Sequence, residues 1–235
     1  ADSDDSGEQL ELIAGMRQAL QGQRQVAQPK NWSAAATKAA KSNDEKVRRE
    51  ATALGVTFGD KQAMAAMRAT VDAADADVEA RRQALDSLLR VKDPELLPSL
   101  LKLLADPELR EPALSGLALY DDSSVPVAVL AIYGDAAPAA KRAALATLCS
   151  RPAYGLELLK AIEAKKIATA DLSGDLVRQL QNHKNADLDK LLADAWGQVR
   201  STPADKAAMI VALREMLKHP PAKPDLQLGR AVFVK

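Results

Sequence analysis

Glu79-Ala-Arg-Arg-Gln-Ala84-Leu85-Asp-Ser-Leu88 returns twice along the chain. It comes back as Glu108-Leu-Arg-Glu-Pro-Ala113-Leu114-Ser-Gly-Leu117 and as Ala139-Ala-Lys-Arg-Ala-Ala144-Leu145-Ala-Thr-Leu148. The common core is Ala-Leu-x-x-Leu, with charged residues one turn earlier in each copy. The steps between copies are 29 and 31 residues, the spacing of stacked two-helix units. A weaker forerunner, Val47-Arg-Arg-Glu-Ala51, lies 33 residues before the first. A second apolar helix follows each copy, so the unit reads helix–turn–helix. Such a unit cannot bury its apolar face alone and must stack on its neighbours. The leucines of the phrase, Leu85, Leu88, Leu114, Leu117, Leu145 and Leu148, are therefore expected between two layers of helices.

Composition narrows the function classes. The 235 residues are long enough for a sizeable core, yet only 3% are aromatic and Ala and Leu dominate. That favours closely packed helices over a sandwich or barrel. Charges balance at 32 against 32, so no global field draws nucleic acid or an anionic membrane. The local asymmetry of Asp2, Asp4, Asp5, Glu8 and Glu11 before Arg17, Arg24, Lys30, Lys38 and Lys41 reads as the solvated faces of an N-terminal arm. One cysteine excludes an internal disulfide and any Cys-rich metal site. No run approaches the ~20 apolar residues of a membrane span. The opening Ala1-Asp-Ser-Asp-Asp lacks the basic and apolar regions of a signal peptide.

The turn signals are regular. Residues 1–7 read as disordered, and a first helix carries Leu10, Ile13, Ala14, Arg17, Ala19 and Leu20, closing near Gly22. Trp32 anchors a loop before a short Ala-rich helix to about Lys41. Ser42-Asn-Asp-Glu45 has the form of a capping box. Asp60 caps the next helix, and Asp93-Pro94 and Asp106-Pro107 place an N-cap carboxylate before a first-turn proline. Pro112 inside the second phrase predicts a kink or a late helix start. Arg151-Pro152, Thr169-Ala-Asp-Leu172, Asn185 and Thr202-Pro203-Ala-Asp205 open four further helices, the last ending at His219-Pro220-Pro221.

Little in the chain carries catalytic chemistry. His183 and His219 sit at helix ends, where an imidazole complements the negative terminus. Cys149 follows the third phrase and reads as a small core residue. Asp121-Asp122 lacks the remaining ligands of a calcium loop and, with Ser123 next, reads as a helix start. There is no phosphate loop, nucleophile elbow or ligand cluster, so catalytic, cofactor and metal residues are none. The candidate docking residues are Val125, Val129, Ile132 and Tyr133, with the basic pairs Arg81, Arg82 and Lys141, Arg142. The segment Val125–Tyr133 has no charge on any face. It is expected either as an inner helix covered all round, Tyr133 ring included, or as an exposed docking groove; the first is favoured. The basic pairs recur at one place in the unit and read as its solvated rim, aligned into a weak stripe.

The second half is more specific than periodicity. Leu119-Tyr-Asp-Asp122, Ser150-Arg-Pro152, Ile167-Ala-Thr-Ala-Asp-Leu-Ser173, Arg178-Gln-Leu180, Trp196-Gly-Gln-Val-Arg200 and Leu228-Gly-Arg-Ala-Val-Phe-Val-Lys235 follow one another. Together they resemble the HEAT-like helical region of large exported planctomycete and verrucomicrobial proteins that end in a PVC-type haem-binding domain. The likeness runs over about residues 8–235. It implies that a Cys-x-x-Cys-His motif follows Lys235, bringing a c-type haem. It also implies a dehydrogenase-like β-propeller upstream, and export to the periplasm. No haem ligand lies in the chain itself.

The expectation is thus an all-α, right-handed HEAT-like α-solenoid of about five helix pairs. It comprises a disordered arm (1–7), N-terminal capping helices (8–41), repeats (42–182), a C-terminal helix pair (183–219), and a linker leading to a haem domain (220–235). Its role is a non-catalytic scaffold that docks a cytochrome c-like domain against another module, with other domains or another protein as partner and no nucleic acid. The alternatives are a free-standing protein-binding adaptor and, from another class, a base-excising HEAT-like enzyme. The last would want a basic, aromatic-lined concave face, which two Trp and zero net charge do not supply.

Overall fold

A carboxylate starts most of the early helices. Asp5, Asp44, Asp60 and Asp77 each accept a backbone N–H of the first turn, satisfying donors the helix leaves unpaired. A computed structural model describes residues 5–20, 23, 26–196, 204–218 and 230. Among these lie thirteen α-helices, one 3-10 turn and no strand. They are α1 (Ser6–Ala19), α2 (Trp32–Ala40), α3 (Glu45–Thr57), α4 (Lys61–Asp72), α5 (Val78–Val91), α6 (Leu97–Leu103) and α7 (Arg110–Leu117). They continue as α8 (Ser124–Ile132), α9 (Pro138–Leu148), α10 (Pro152–Glu163), the 3-10 turn Thr169–Asp171, α11 (Gly174–Asn182), α12 (Ala186–Trp196) and α13 (Ala204–Lys218). The chain divides into two compact units, Ala1–Leu191 and Leu192–Lys235.

In the first unit the recurrent phrases fall on α5, α7 and α9, and their forerunner on α3. These first helices touch along the series (α3 with α5, α7 with α9), and so do the second helices (α4 with α6, α8 with α10). All six phrase leucines are buried, none above 4% exposed. Burying a leucine side chain is worth about 1.5–3 kcal/mol, so the phrase is the stacking seam. Helix α3 also carries α1 and α2. There Ile13, Trp32, Val47, Leu54 and Phe58 form an N-terminal core. The Trp32 and Phe58 rings meet edge to face with centroids 4.8 Å apart, and Trp32 Nε1 donates to Asp60 Oδ2 at 3.2 Å. Two glycines permit close helix contact. A Cβ on Gly55 would lie 2.8 Å from the Ala63 Cβ, and one on Gly116 would lie 2.7 Å from Leu89 Cδ2.

Polar staples link successive units. Arg68 pairs with Asp93 and Glu95. Arg81 pairs with Asp106 at 2.8 Å, and its Nε donates to the Val71 carbonyl. Arg82 donates to the Glu108 carbonyl, and Tyr120 Oη to that of Asp93 at 2.7 Å. Further on, Arg151 and Tyr154 Oη donate to the Tyr120 carbonyl, Thr147 Oγ1 to that of Leu114, and His183 Nε2 lies 2.9 Å from that of Cys149. Apart from the Arg81–Val71 bond, which spans 10 residues, the hydrogen bonds among these reach 25 to 34 residues along the chain, about one unit.

Several local expectations change. The cap of α3 is Asp44, which accepts from Lys46 N at 2.8 Å. Ser42 instead accepts from Asp44 N, so the charged acceptor takes the helix and the hydroxyl braces the turn before it. Asp93 and Asp106 do bind backbone N–H groups, at Glu95 and at Glu108 and Leu109. Each caps a single turn, however, and α6 and α7 begin at Leu97 and Arg110. Pro112 accordingly sits in the first turn of a late-starting helix. Thr169–Asp171 makes only a 3-10 turn, and α11 starts at Gly174. The first helix starts at Ser6, inside the stretch 1–7. The expectations for Gly22, residues 197–203, His219 and the tail 220–235 (apart from Arg230) lie outside the described residues.

Candidate interaction surface

The candidate docking residues divide by depth. Val125 and Val129 are fully buried, and Tyr133 is 4% exposed with its hydroxyl donating to Asp171 Oδ2 at 3.0 Å. Burial, then that hydrogen bond, pushes the Tyr133 hydroxyl well above the usual tyrosine range. Ile132 is half-buried. The α8 helix is nevertheless not covered all round: Val127 is 66% exposed and Ala131 faces solvent. An uncharged helix need bury only one face when its other side chains are small or β-branched, since scattered exposed apolar residues cost little.

The basic rim does not form. Arg81 lies three and four residues before Ala84 and Leu85, on the buried stripe of α5, and is only 5% exposed. Its charge is met by Asp106. Burial alone would raise the Asp106 carboxyl, but the Arg81 hydrogen bond and the backbone N–H groups of Glu108 and Leu109 outweigh it and hold it below its usual value. Arg82 is half-buried against the Glu108 carbonyl, and Lys141 Nζ sits 5.4 Å over the Tyr133 ring. Arg142 alone of the four is exposed.

The other singled-out groups are structural. Cys149 is wholly buried, and burial followed by the Asp175 charge pushes its thiol up to about 12, far from a reactive thiolate. His183 ends α11 and binds the Cys149 carbonyl. Asp122 accepts from Ser124 N and Oγ, and those two bonds hold its carboxyl below the usual range; it braces the start of α8 as the sequence implied. Burial, then the Asp93 charge, pushes Tyr120 up to about 12. Among the described residues no three His, Cys, Asp or Glu side chains could hold a metal ion, and no helix is long and apolar enough to cross a membrane.

The surface that sequence reasoning missed lies across the outer faces of α1, α3 and α5. A polar groove of about 690 Å³ opens there, lined by Arg17 and Gln18 of α1, Arg49 and Glu50 of α3, and Gln83, Asp86 and Arg90 of α5. Arg17 Nη1 lies 2.7 Å from Glu50 Oε2. A signal existed in the spacing: positions 83, 86, 87 and 90 form a polar stripe at helical period on the face opposite the buried leucines. Further along the series the equivalent positions become Pro112, Ser115, Gly116 and Leu119, then Ala143, Ala146, Thr147 and Ser150, with no charge among them, so the charged groove belongs to the first half of the stack. Apolar surface is exposed elsewhere, at Leu12 and Met16 on α1 and, in the second unit, at Met209, Leu213 and Leu217 on α13.

Residues 33–118 match the family model of HEAT repeats. That span runs from α2 through α7 and contains the first two phrases, so this part of the chain is a HEAT-like repeat region. Neither the curated proteins nor the solved structures contain a match to the chain.

Proposed function

We propose that the chain is a non-catalytic scaffold, a right-handed stack of about five helix pairs that spaces and docks other protein domains. The observation that carries the reading is the division of labour within its HEAT-like units. Recurrent leucines and inter-unit staples occupy the interior, while the outer positions of the first helices change from unit to unit. Stacked repeats of that kind offer a continuous face whose side chains are free to fit a partner. HEAT repeats suggest protein–protein interaction for the same reason.

The partner in this reading is a cytochrome c-like haem domain following Lys235 in the same exported polypeptide, held near an upstream dehydrogenase-like propeller. Its support is the resemblance of Leu228–Lys235 and of the motifs from Leu119 to Arg200. The test is to read the natural frame past Lys235 and to express the extended protein with an export signal. A Cys-x-x-Cys-His motif directly after Lys235 and a c-type haem spectrum are expected. A frame that stops, or continues without the motif, removes the redox role and leaves a free-standing adaptor.

A further inference from the structure

We infer that the groove across α1, α3 and α5 binds an extended, acidic peptide segment; this rests on the scaffold reading and names the partner's chemistry. Arg49 and Arg90 stand exposed on neighbouring helices, both lining one groove, with no ion pair or hydrogen bond to another described residue. A guanidinium presents a planar fork of donors that matches a carboxylate in two parallel hydrogen bonds. Two such forks over a single groove are a recognition element for a chain bearing more than one carboxylate. Arg17 is already engaged by Glu50, so the free positive charge is that of Arg49 and Arg90.

The rest of the lining suits a peptide backbone. Gln18 on α1 and Gln83 on α5 each offer an amide donor and an amide acceptor, the pairing a peptide unit itself presents. The groove crosses three helices. At roughly 8–10 Å between neighbouring axes it spans about 16–20 Å, the length of five or six extended residues at ~3.3 Å each. Nucleic acid does not fit. No aromatic ring lines the groove for base stacking, and two free arginines are too few to track a phosphate backbone.

The test uses the full chain and an arrayed library of fluorescein-labelled seven-residue peptides, followed by anisotropy titration of the selected ones. Selected peptides should be enriched in Asp and Glu and should bind more weakly as salt is raised. Each should lose about tenfold or more in affinity on Arg49→Glu or Arg90→Glu, the size of a charged hydrogen bond lost. Arg142→Glu, on α9 and outside the groove's lining, should leave affinity unchanged. Both groove arginines are exposed, so the fold should survive, checked by circular dichroism; Arg49→Gln and Arg90→Gln repeat the measurement without charge reversal. Peptides without acidic enrichment, or acidic peptides indifferent to all four groove variants, would overturn the groove assignment while leaving the scaffold reading intact. An array with no binder also overturns it. The scaffold reading stands or falls separately, on the extended protein.

Discussion

Asp106→Ala should be among the most damaging substitutions at any polar position in the repeats, and the structure says by how much. Removing the carboxylate leaves the Arg81 guanidinium 5% exposed, with only the Val71 carbonyl as remaining partner. A buried charge stripped of its counter-ion costs about 3–5 kcal/mol. The N–H groups of Glu108 and Leu109 lose their acceptor as well, adding about 1 kcal/mol as for any lost cap. The reverse truncation is milder. In Arg81→Met the Asp106 side chain, 19% exposed, keeps both backbone donors and reaches water, so about 1–2 kcal/mol should go, the worth of a charged hydrogen bond. The double variant leaves no orphaned charge and should cost less than the sum of the two by roughly 2 kcal/mol.

Urea unfolding followed at 222 nm measures all four corners of that cycle, provided the slope against denaturant stays constant. Acid adds a check. The folded Asp106 carboxyl lies below its ordinary 3.8, so its contribution is complete above that value and is lost as pH falls through the lower folded value. Asp106→Asn should therefore lose less stability than the parent as pH falls below the ordinary value of 3.8. An Asp106→Ala cost under about 1 kcal/mol, or a cycle additive to within ~0.5 kcal/mol, would refute the premise that Arg81 is a buried charge held by one partner.

Three further outcomes are open to the same assays. Leu117→Ala should cost about 2–5 kcal/mol, because stacked neighbours cannot close the cavity; a loss under ~1 kcal/mol would place Leu117 outside the stacking seam. Gly55→Ala should lower the melting temperature more than Gly116→Ala does. Its new methyl meets the Ala63 Cβ, which is fixed to backbone, whereas the one at Gly116 meets the movable ends of Leu89 and Leu100. The overpacking cost of about 1–3 kcal/mol exceeds the ~1 kcal/mol of helix propensity gained only in the first case, and equal shifts would count against it. Native Cys149 should resist Ellman's reagent at pH 8 and react fully in urea; rapid labelling of the folded chain would contradict its burial.

The repeat phrases were legible because a buried stripe and its period are both local. Ala84-Leu85, Ala113-Leu114 and Ala144-Leu145 mark one helix face without knowledge of anything else. Arg81 was misread for the converse reason. Alone it is a cation, and cations usually sit at the surface; what buries it is Asp106, in the loop before the next phrase, and local patterning says nothing of that pairing. Val127 and Val129 show the same limit two residues apart. Both belong to an uncharged helix, and only the placement of α9 and α10 leaves one 66% exposed and the other covered. The groove was missed because Arg49 and Arg90 lie on different helices and acquire a common purpose only when α3 and α5 pack side by side.

The staples that reach one unit along the chain have a mechanical consequence. Each ties one unit to the next, most of them through a loop, so tension applied along the stack loads them in series rather than in parallel. Under an optical trap, extension should proceed as a sawtooth, each tooth releasing roughly one unit's length of chain. Amide exchange should slow from the outermost helices inward, because every staple guards its own junction and none locks the whole array.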